Sequence, residues 1–291
     1  MIKEVEARSL LTSVKYPDPW FGLKYNLNLY RGCQHQCIYC DSRSECYHID
    51  NFNEDVLVKI NAIDLLRREL THKRVKGTIG FGAMNDPYMP LESQQKLTRR
   101  ALEVISEFQF PVHIITKSDM VLRDIDLYQQ IRRTYCAISM TVTTTDDLLA
   151  KIIEPGAPLP SQRMAAVRSL SQAGILTGIT LMPVLPFIED NEDNIRAVLT
   201  SAAENGAKYI LLGLGMSIRD RQRDYFYNKL DLHFPGLRQR YQSAYGDRYN
   251  CPVPNARSLE ALVNRLCRQL NLLQVMPVYQ PPTVMTQPGL F

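Results

Sequence analysis

An alternation of short apolar runs with helically spaced stretches constrains this chain most. YNLNLY at 25–30, KGTIGFG at 76–82, VHIIT at 112–116, residues 137–142, residues 176–182 and YILLGL at 209–214 have the length, composition and flanking turn residues of strands. Between them, Ile60, Ile63, Leu66 and Leu70 mark helical spacing within 50–72, and further helices are expected over 91–108, 124–133, 161–173 and 190–204. Strand and helix in turn predict parallel βα units joined by right-handed crossovers. Six such units give an α/β fold, a partial (β/α)6 TIM-like barrel that stops short of the eight-strand closure. At 291 residues and 45% hydrophobic composition the chain can bury the core of such a domain and carry an appendage.

The expected division is an N-terminal arm over 1–24, a barrel core over 25–216, and a helical C-terminal cap with an irregular tail over 217–291. The arm carries Pro17, Pro19 and Gly22 around the single tryptophan, Trp20, which is expected to plug the core. In the cap the pattern reads as helices only, chiefly 219–245 and 258–271.

Directly after the first strand stands NLYRGCQHQCIYCD, in which Cys33, Cys37 and Cys40 are spaced C-x3-C-x2-C. Parallel sheets and barrels place their sites at the C-terminal ends of strands, which is where this loop falls. Three close thiolates are soft ligands suited to zinc, copper(I) or an iron–sulfur centre. A disulfide would use two and leave the third unexplained. A structural zinc would need a fourth ligand from His35, Cys46 or His48. Three cysteines on a [4Fe–4S] cluster leave one iron open for a substrate or cofactor.

With Tyr39 just before the last cysteine, the loop resembles that of the radical S-adenosylmethionine enzymes, and residues 20–270 resemble, in order and spacing, the spore photoproduct lyase-like family. The resemblance implies a partial barrel of the radical SAM type and a [4Fe–4S] cluster on Cys33, Cys37 and Cys40. It also implies S-adenosylmethionine bound through the open iron and an external electron donor of the flavodoxin or ferredoxin type. Reductive cleavage of the sulfonium would then yield a 5′-deoxyadenosyl radical for hydrogen abstraction. By the same matching, Tyr39, Asn85, Lys117 and Ser139 would contact the cofactor, with the turn Ala83–Tyr88 and Glu92 beside it. Glu154 and Arg163 also fit the family pattern and are expected to pair as a brace.

Two departures matter. Ala83 stands where the photoproduct lyases keep a hydrogen-donating cysteine, and Asp41 stands where they have a tyrosine. Repair of the thymine dimer by that relay is therefore not expected, and Cys251, followed by Pro252 and Pro254 in YNCPVPN, becomes the candidate donor. Cys267 lies on helical spacing and reads as core.

Partners follow from charge and tail. Net charge is +4 with pI near 8.6, which permits nucleic acid without demanding it. The stretch 219–257 interleaves basic residues with tyrosines, which suits stacking and phosphate contacts, or equally a helix that turns its aromatics inward. The last five residues, Gln287–Phe291, resemble the short peptide with which bacterial proteins bind the replicative sliding clamp. No apolar run reaches the roughly 18 residues of a membrane span and no secretory h-region opens the chain, so a cytoplasmic location is expected. Three function classes are carried forward: a radical enzyme acting on nucleic acid, one acting on a small molecule or protein, and a non-catalytic metal-bearing nucleic-acid-binding module.

Overall fold

The structure is a computed structural model and describes residues 1–16, 20–49, 51–52 and 55–281. Six strands, Leu23–Leu27, Thr78–Phe81, Val112–Thr116, Cys136–Thr141, Leu176–Leu181 and Tyr209–Leu212, lie side by side in chain order. Each pairs parallel with the next, and Leu11–Ser13 adds an antiparallel edge to the first. Sequential parallel order puts every crossover on one side and all six C-terminal ends at one rim. The crossover helices Ala62–Thr71, Leu97–Glu107, Ile125–Ile131, Pro160–Gln172 and Glu192–Glu204 bury their apolar faces in the main core with the outer face of the sheet.

The first and sixth strands are not paired among the described residues, so the barrel is open on one side. That gap is filled from both ends of the chain. Phe21, Met276 and Val278 pack with Tyr209 and Leu211. Gly22, at φ +60, lies so close to Val278 that a Cβ there would sit 2.6 Å from its Cγ1. The plug expected of Trp20 is thus supplied by Phe21; Trp20 itself is 46% exposed.

Several expected boundaries shift for local reasons. Residues 56–59 (VLVK) form a strand instead of extending the first helix, because they find partners in Ile2–Val5 and Tyr30–Arg31. The helix expected over 91–108 breaks at Lys96, whose φ is +50, and restarts under the Glu92 carboxylate, which accepts from Leu97 N at 3.0 Å and Thr98 N at 3.1 Å. Asp147–Ile153, capped by the Asp146 side chain, is a helix that periodicity alone missed.

The region beyond 217 is not helical throughout. Asn250–Pro252 pairs antiparallel with Gly215–Ser217, and the helix expected over 219–245 is two, Asp220–His233 and Leu237–Tyr245, parted at Pro235 and Gly236. The final helix, Ala256–Leu270, sends Leu259, Leu262, Val263, Leu266 and Cys267 into the main core. Asp220–His233 and Leu237–Tyr245 instead build a second core with Cys37, Ile38 and Tyr39. Among the described residues no helix is long and apolar enough to cross a membrane. The Gln287–Phe291 segment lies outside the described residues.

Candidate active site

The strand exits enclose one cavity of about 670 Å³. The cysteine loop forms one wall with Cys33, Cys37, Tyr39 and Cys40; Gly82–Asp86 and Ile115–Lys117 come from the second and third strand exits; Thr141, Met182 and Leu214 come from the next three. The hairpin residues Met216 and Cys251 close it from above, and Trp20 reaches it from the arm.

The loop is clamped on both flanks. On the barrel side Ile38 N donates to Ile153 O at 2.9 Å, Gly156 N to His35 O at 2.9 Å and Leu91 N to Gln34 Oε1 at 2.6 Å. On the other side Gln222 Nε2 donates to Tyr39 O at 3.1 Å and Ser44 Oγ to the Asp220 carboxylate at 2.6 Å. Burial pushes the Cys33 thiol up to about 12 and raises Cys37 and Cys40 as well. Left alone, these are inert thiols; a metal centre is what makes such groups thiolates.

Two buried acids organise the opposite wall. Asp86 accepts from Thr116 Oγ1 at 2.6 Å, Lys117 N at 2.7 Å and Tyr88 N at 2.8 Å, and lies 3.1 Å from His35 Nε2. Burial alone would raise its pKa, but His35 and these hydrogen bonds win and hold it at about 2. Asp86 therefore ties the second and third strand exits to the cysteine loop.

Glu154 pairs with Arg163 Nη1 at 2.5 Å, accepts from the Tyr39 hydroxyl, and lies 3.7 Å from Lys117 Nζ. Against burial, the Arg163 and Lys117 charges keep its pKa below the ordinary carboxylate value. Lys117 is likewise opposed by burial, yet its pKa is raised by Cys37 and Glu154, so it stays an ammonium at the cavity wall. The expected Glu154–Arg163 brace is present, and it also positions Tyr39 and Lys117.

Asn85 is 7% exposed and lines the cavity, and its Oδ1 has no hydrogen-bond partner among the described residues. A buried amide oxygen in that state fits a site whose ligand supplies the donor. Ser139 is placed differently from the expectation. It is fully buried below the cavity, its hydroxyl 2.8 Å from His113 Nε2 and 2.7 Å from the Tyr209 hydroxyl. Thr141, the next residue on that face, is the one at the cavity wall. Glu92 and Tyr88 also sit away from the cavity, Glu92 bonded to Tyr30, Leu97, Thr98 and Arg123, and Tyr88 to Asp124.

Cys251 is fully buried, faces the cavity from the hairpin, and is kept protonated by burial, its pKa about 11. The basic and aromatic stretch turned inward. Phe226, Tyr227, Tyr241 and Tyr245 are buried in the second core. Arg221, Arg223 and Arg248 donate largely to backbone carbonyls, and Arg219 pairs with Asp41 at 2.7 Å. One residue sequence reading did not place at the site is Trp20; a lone tryptophan in a proline-rich arm was the available signal.

Fold and site together define an α/β enzyme with a three-cysteine loop at the rim of a partial parallel barrel. Residues 27–216 match the model of the radical SAM superfamily, and the chain belongs to that superfamily. An uncharacterized protein of Methanocaldococcus jannaschii is 34% identical over 193 residues, 66% of this chain and 70% of the relative. An uncharacterized protein of Mycobacterium tuberculosis is 28% identical over 229 residues, 76% and 67% of the two chains. A solved spore photoproduct lyase variant with bound AdoMet and dinucleoside spore photoproduct shares the fold at a TM-score of 0.69 and 16% identity, over 95% of this chain and 82% of that one. The superfamily works with a [4Fe–4S] cluster, S-adenosylmethionine and an electron donor.

The residues present fit those groups. Three thiols share one wall, an amide oxygen has no partner among the described residues, and a lysine ammonium lines the same cavity. No group of three or more His, Cys, Asp or Glu among the described residues is arranged to hold a single metal ion. A cubane spreads its thiolates over separate irons and needs them farther apart than one ion does.

Proposed function

We propose that Cys33, Cys37 and Cys40 hold the [4Fe–4S] cluster, that Lys117, Asn85 and Tyr39 hold S-adenosylmethionine, and that the enzyme removes a hydrogen atom from a nucleic-acid substrate entering past Trp20. The observation that carries this is the convergence of the loop thiols, Asn85 and Lys117 on one cavity. When bound, the two cofactors supply a one-electron cleavage of the sulfonium that starts hydrogen-atom abstraction. The Lys117 ammonium meets the methionine carboxylate, and the Asn85 amide oxygen takes a cofactor N–H or O–H. Tyr39, fixed through Glu154, packs the loop against Lys117, whose Nζ is 5.7 Å from its ring centroid.

Support for a nucleic-acid substrate comes from the mouth. Trp20 is 46% exposed there, and Tyr249, next to the cavity-lining Asn250, is 45% exposed with the Arg219 guanidinium 5.1 Å from its ring centroid. Exposed aromatic faces beside a guanidinium suit stacked bases. The structural relative's dinucleoside ligand agrees with this reading. Cys251 is the hydrogen donor: its S–H bond breaks homolytically, the hydrogen atom forms a C–H bond on the substrate radical, and the thiyl is restored by one electron from the external donor and one proton from water.

Lys117→Ala is expected to weaken cofactor binding by about 1.5–3 kcal/mol, or one to two decades in affinity, as read by calorimetry on the cluster-loaded protein. Unchanged affinity would leave Lys117 as a partner of Glu154 alone. For the substrate, anaerobic turnover with deuterated oligonucleotides should place deuterium in 5′-deoxyadenosine. In D2O the product should gain solvent deuterium, and Cys251→Ala should lose that label. Cofactor cleavage with no deuterium transfer from any oligonucleotide would sink the nucleic-acid assignment. The inward packing of 219–249 favours a second reading, a small-molecule or protein substrate, under which oligonucleotides would not bind.

A further inference from the structure

The turn that leads into the second parallel strand carries Lys73, Arg74 and Lys76 around Val75, which is 61% exposed. The Tyr25 hydroxyl donates to Val75 O at 3.0 Å, and Lys73 Nζ lies 4.9 Å from the Tyr25 ring centroid. The turn packs closely on the first parallel strand, where a Cβ on Gly77 would meet the Lys24 Cβ at 2.5 Å. Across the sheet edge Val14 N donates to Lys24 O at 2.9 Å, which brings Lys15 and Tyr16 to the same end of that strand. Tyr16 is 85% exposed.

Lys15, Lys24, Lys73, Arg74 and Lys76 thus gather beside an open aromatic ring, and no carboxylate among the described residues pairs with them. The described residues 14–16, 20–24 and 71–77 include no acid. Glu69, one turn before Lys73, accepts from Leu10 N at 2.8 Å and Leu11 N at 2.9 Å, and Glu107 is paired with Arg67 at 2.6 Å. The contrast is with Arg219, Arg223 and Arg248, whose guanidinium groups are engaged by Asp41, Asp247 and backbone carbonyls. Like charges held together without counter-charge favour a polyanion.

Position decides which polyanion. The cysteine loop leaves the C-terminal end of the first parallel strand, whereas this patch lies at its N-terminal end, so a protein docked here would stand a strand's length from the cluster. Trp20, which lines the cavity, is four residues from Lys24 in the chain. Four residues extend at most about 14 Å, so the patch begins within that distance of the residue at the cavity mouth.

We infer that Lys15, Lys24, Lys73, Arg74 and Lys76 form a track for the phosphate backbone of a nucleic acid whose reacting nucleotide enters past Trp20, with Tyr16 stacking on a flanking unpaired base. This rests on the nucleic-acid reading proposed above. Lysines beside an exposed ring are the pairing that holds a single strand without reading its sequence.

The test is fluorescence anisotropy of the full-length protein with a labelled mixed-sequence single-stranded DNA of about 20 nucleotides, longer than one such site needs, over a range of salt concentrations. Changing Lys73, Arg74 and Lys76 together to glutamine should weaken binding at low salt by at least about tenfold and flatten the plot of log affinity against log salt by about two, the release expected of three phosphate contacts. Tyr16→Ala should weaken binding at every salt concentration and leave the slope alone. Lys73→Arg with Lys76→Arg should keep the wild-type slope. A folded triple variant, judged by its urea midpoint, that binds with wild-type affinity and slope would overturn the inference while leaving the nucleic-acid reading in place. If the triple variant does not fold, Lys15→Gln with Lys24→Gln takes its place, and an unchanged slope there would overturn the inference. Loss of flavodoxin binding in the triple variant with DNA binding intact would make the patch a donor dock and overturn it as well. Wild-type protein that binds no DNA at low salt would remove the nucleic-acid reading, and the track with it.

Discussion

Replacing Cys33, Cys37 or Cys40 singly with alanine is expected to abolish reductive cleavage of S-adenosylmethionine, below detection in an anaerobic assay with dithionite. The three thiols come from one clamped loop, and no fourth cysteine stands on that wall to substitute. Cys251 lines the same cavity, but on the hairpin, held there by pairing with Met216. Each variant should keep the fold, because the loop is fixed by Ile153, Gly156, Leu91 and Gln222 independently of the thiols. A single-alanine variant that retained near-wild-type cleavage with its iron in place would remove that cysteine from the ligand set.

Glu154→Ala should destabilise the protein by about 3–5 kcal/mol, the usual cost of removing one partner of a buried ion pair. Glu154 and Arg163 are 2% and 1% exposed, and without the carboxylate the Arg163 and Lys117 cations would face each other in the interior. Urea unfolding at neutral pH reads the loss. Glu154→Leu combined with Arg163→Met should recover much of it, since that pair removes both charges. A loss under about 1 kcal/mol in the single variant would mean that the brace is not structural.

How much of this was legible depended on how local each signal is. All six parallel strands could be read, because a buried strand needs only a short apolar run between turn signals. Ile2–Val5 could not: its residues are mostly exposed, and it is a strand only because Val56–Lys59 lies alongside. Cys33, Cys37, Cys40, Asn85 and Lys117 could be found because each follows a strand end, and strand ends share one rim. Ser139 shows the limit of that logic. Its face was right, but depth along a strand is not written in residue type, and two positions decide between the rim and the His113–Tyr209 contact. Trp20 was opaque because its place at the cavity is set by strand exits and a hairpin distant in the chain.

The central claim is that this loop carries a cluster that acts on S-adenosylmethionine. Iron and sulfide analysis of anaerobically reconstituted wild-type protein, with cofactor cleavage measured on the same sample, tests it most directly. The account predicts about four irons per chain and formation of 5′-deoxyadenosine on reduction. A chain that binds one zinc tightly, takes up no iron and leaves the cofactor intact would contradict it.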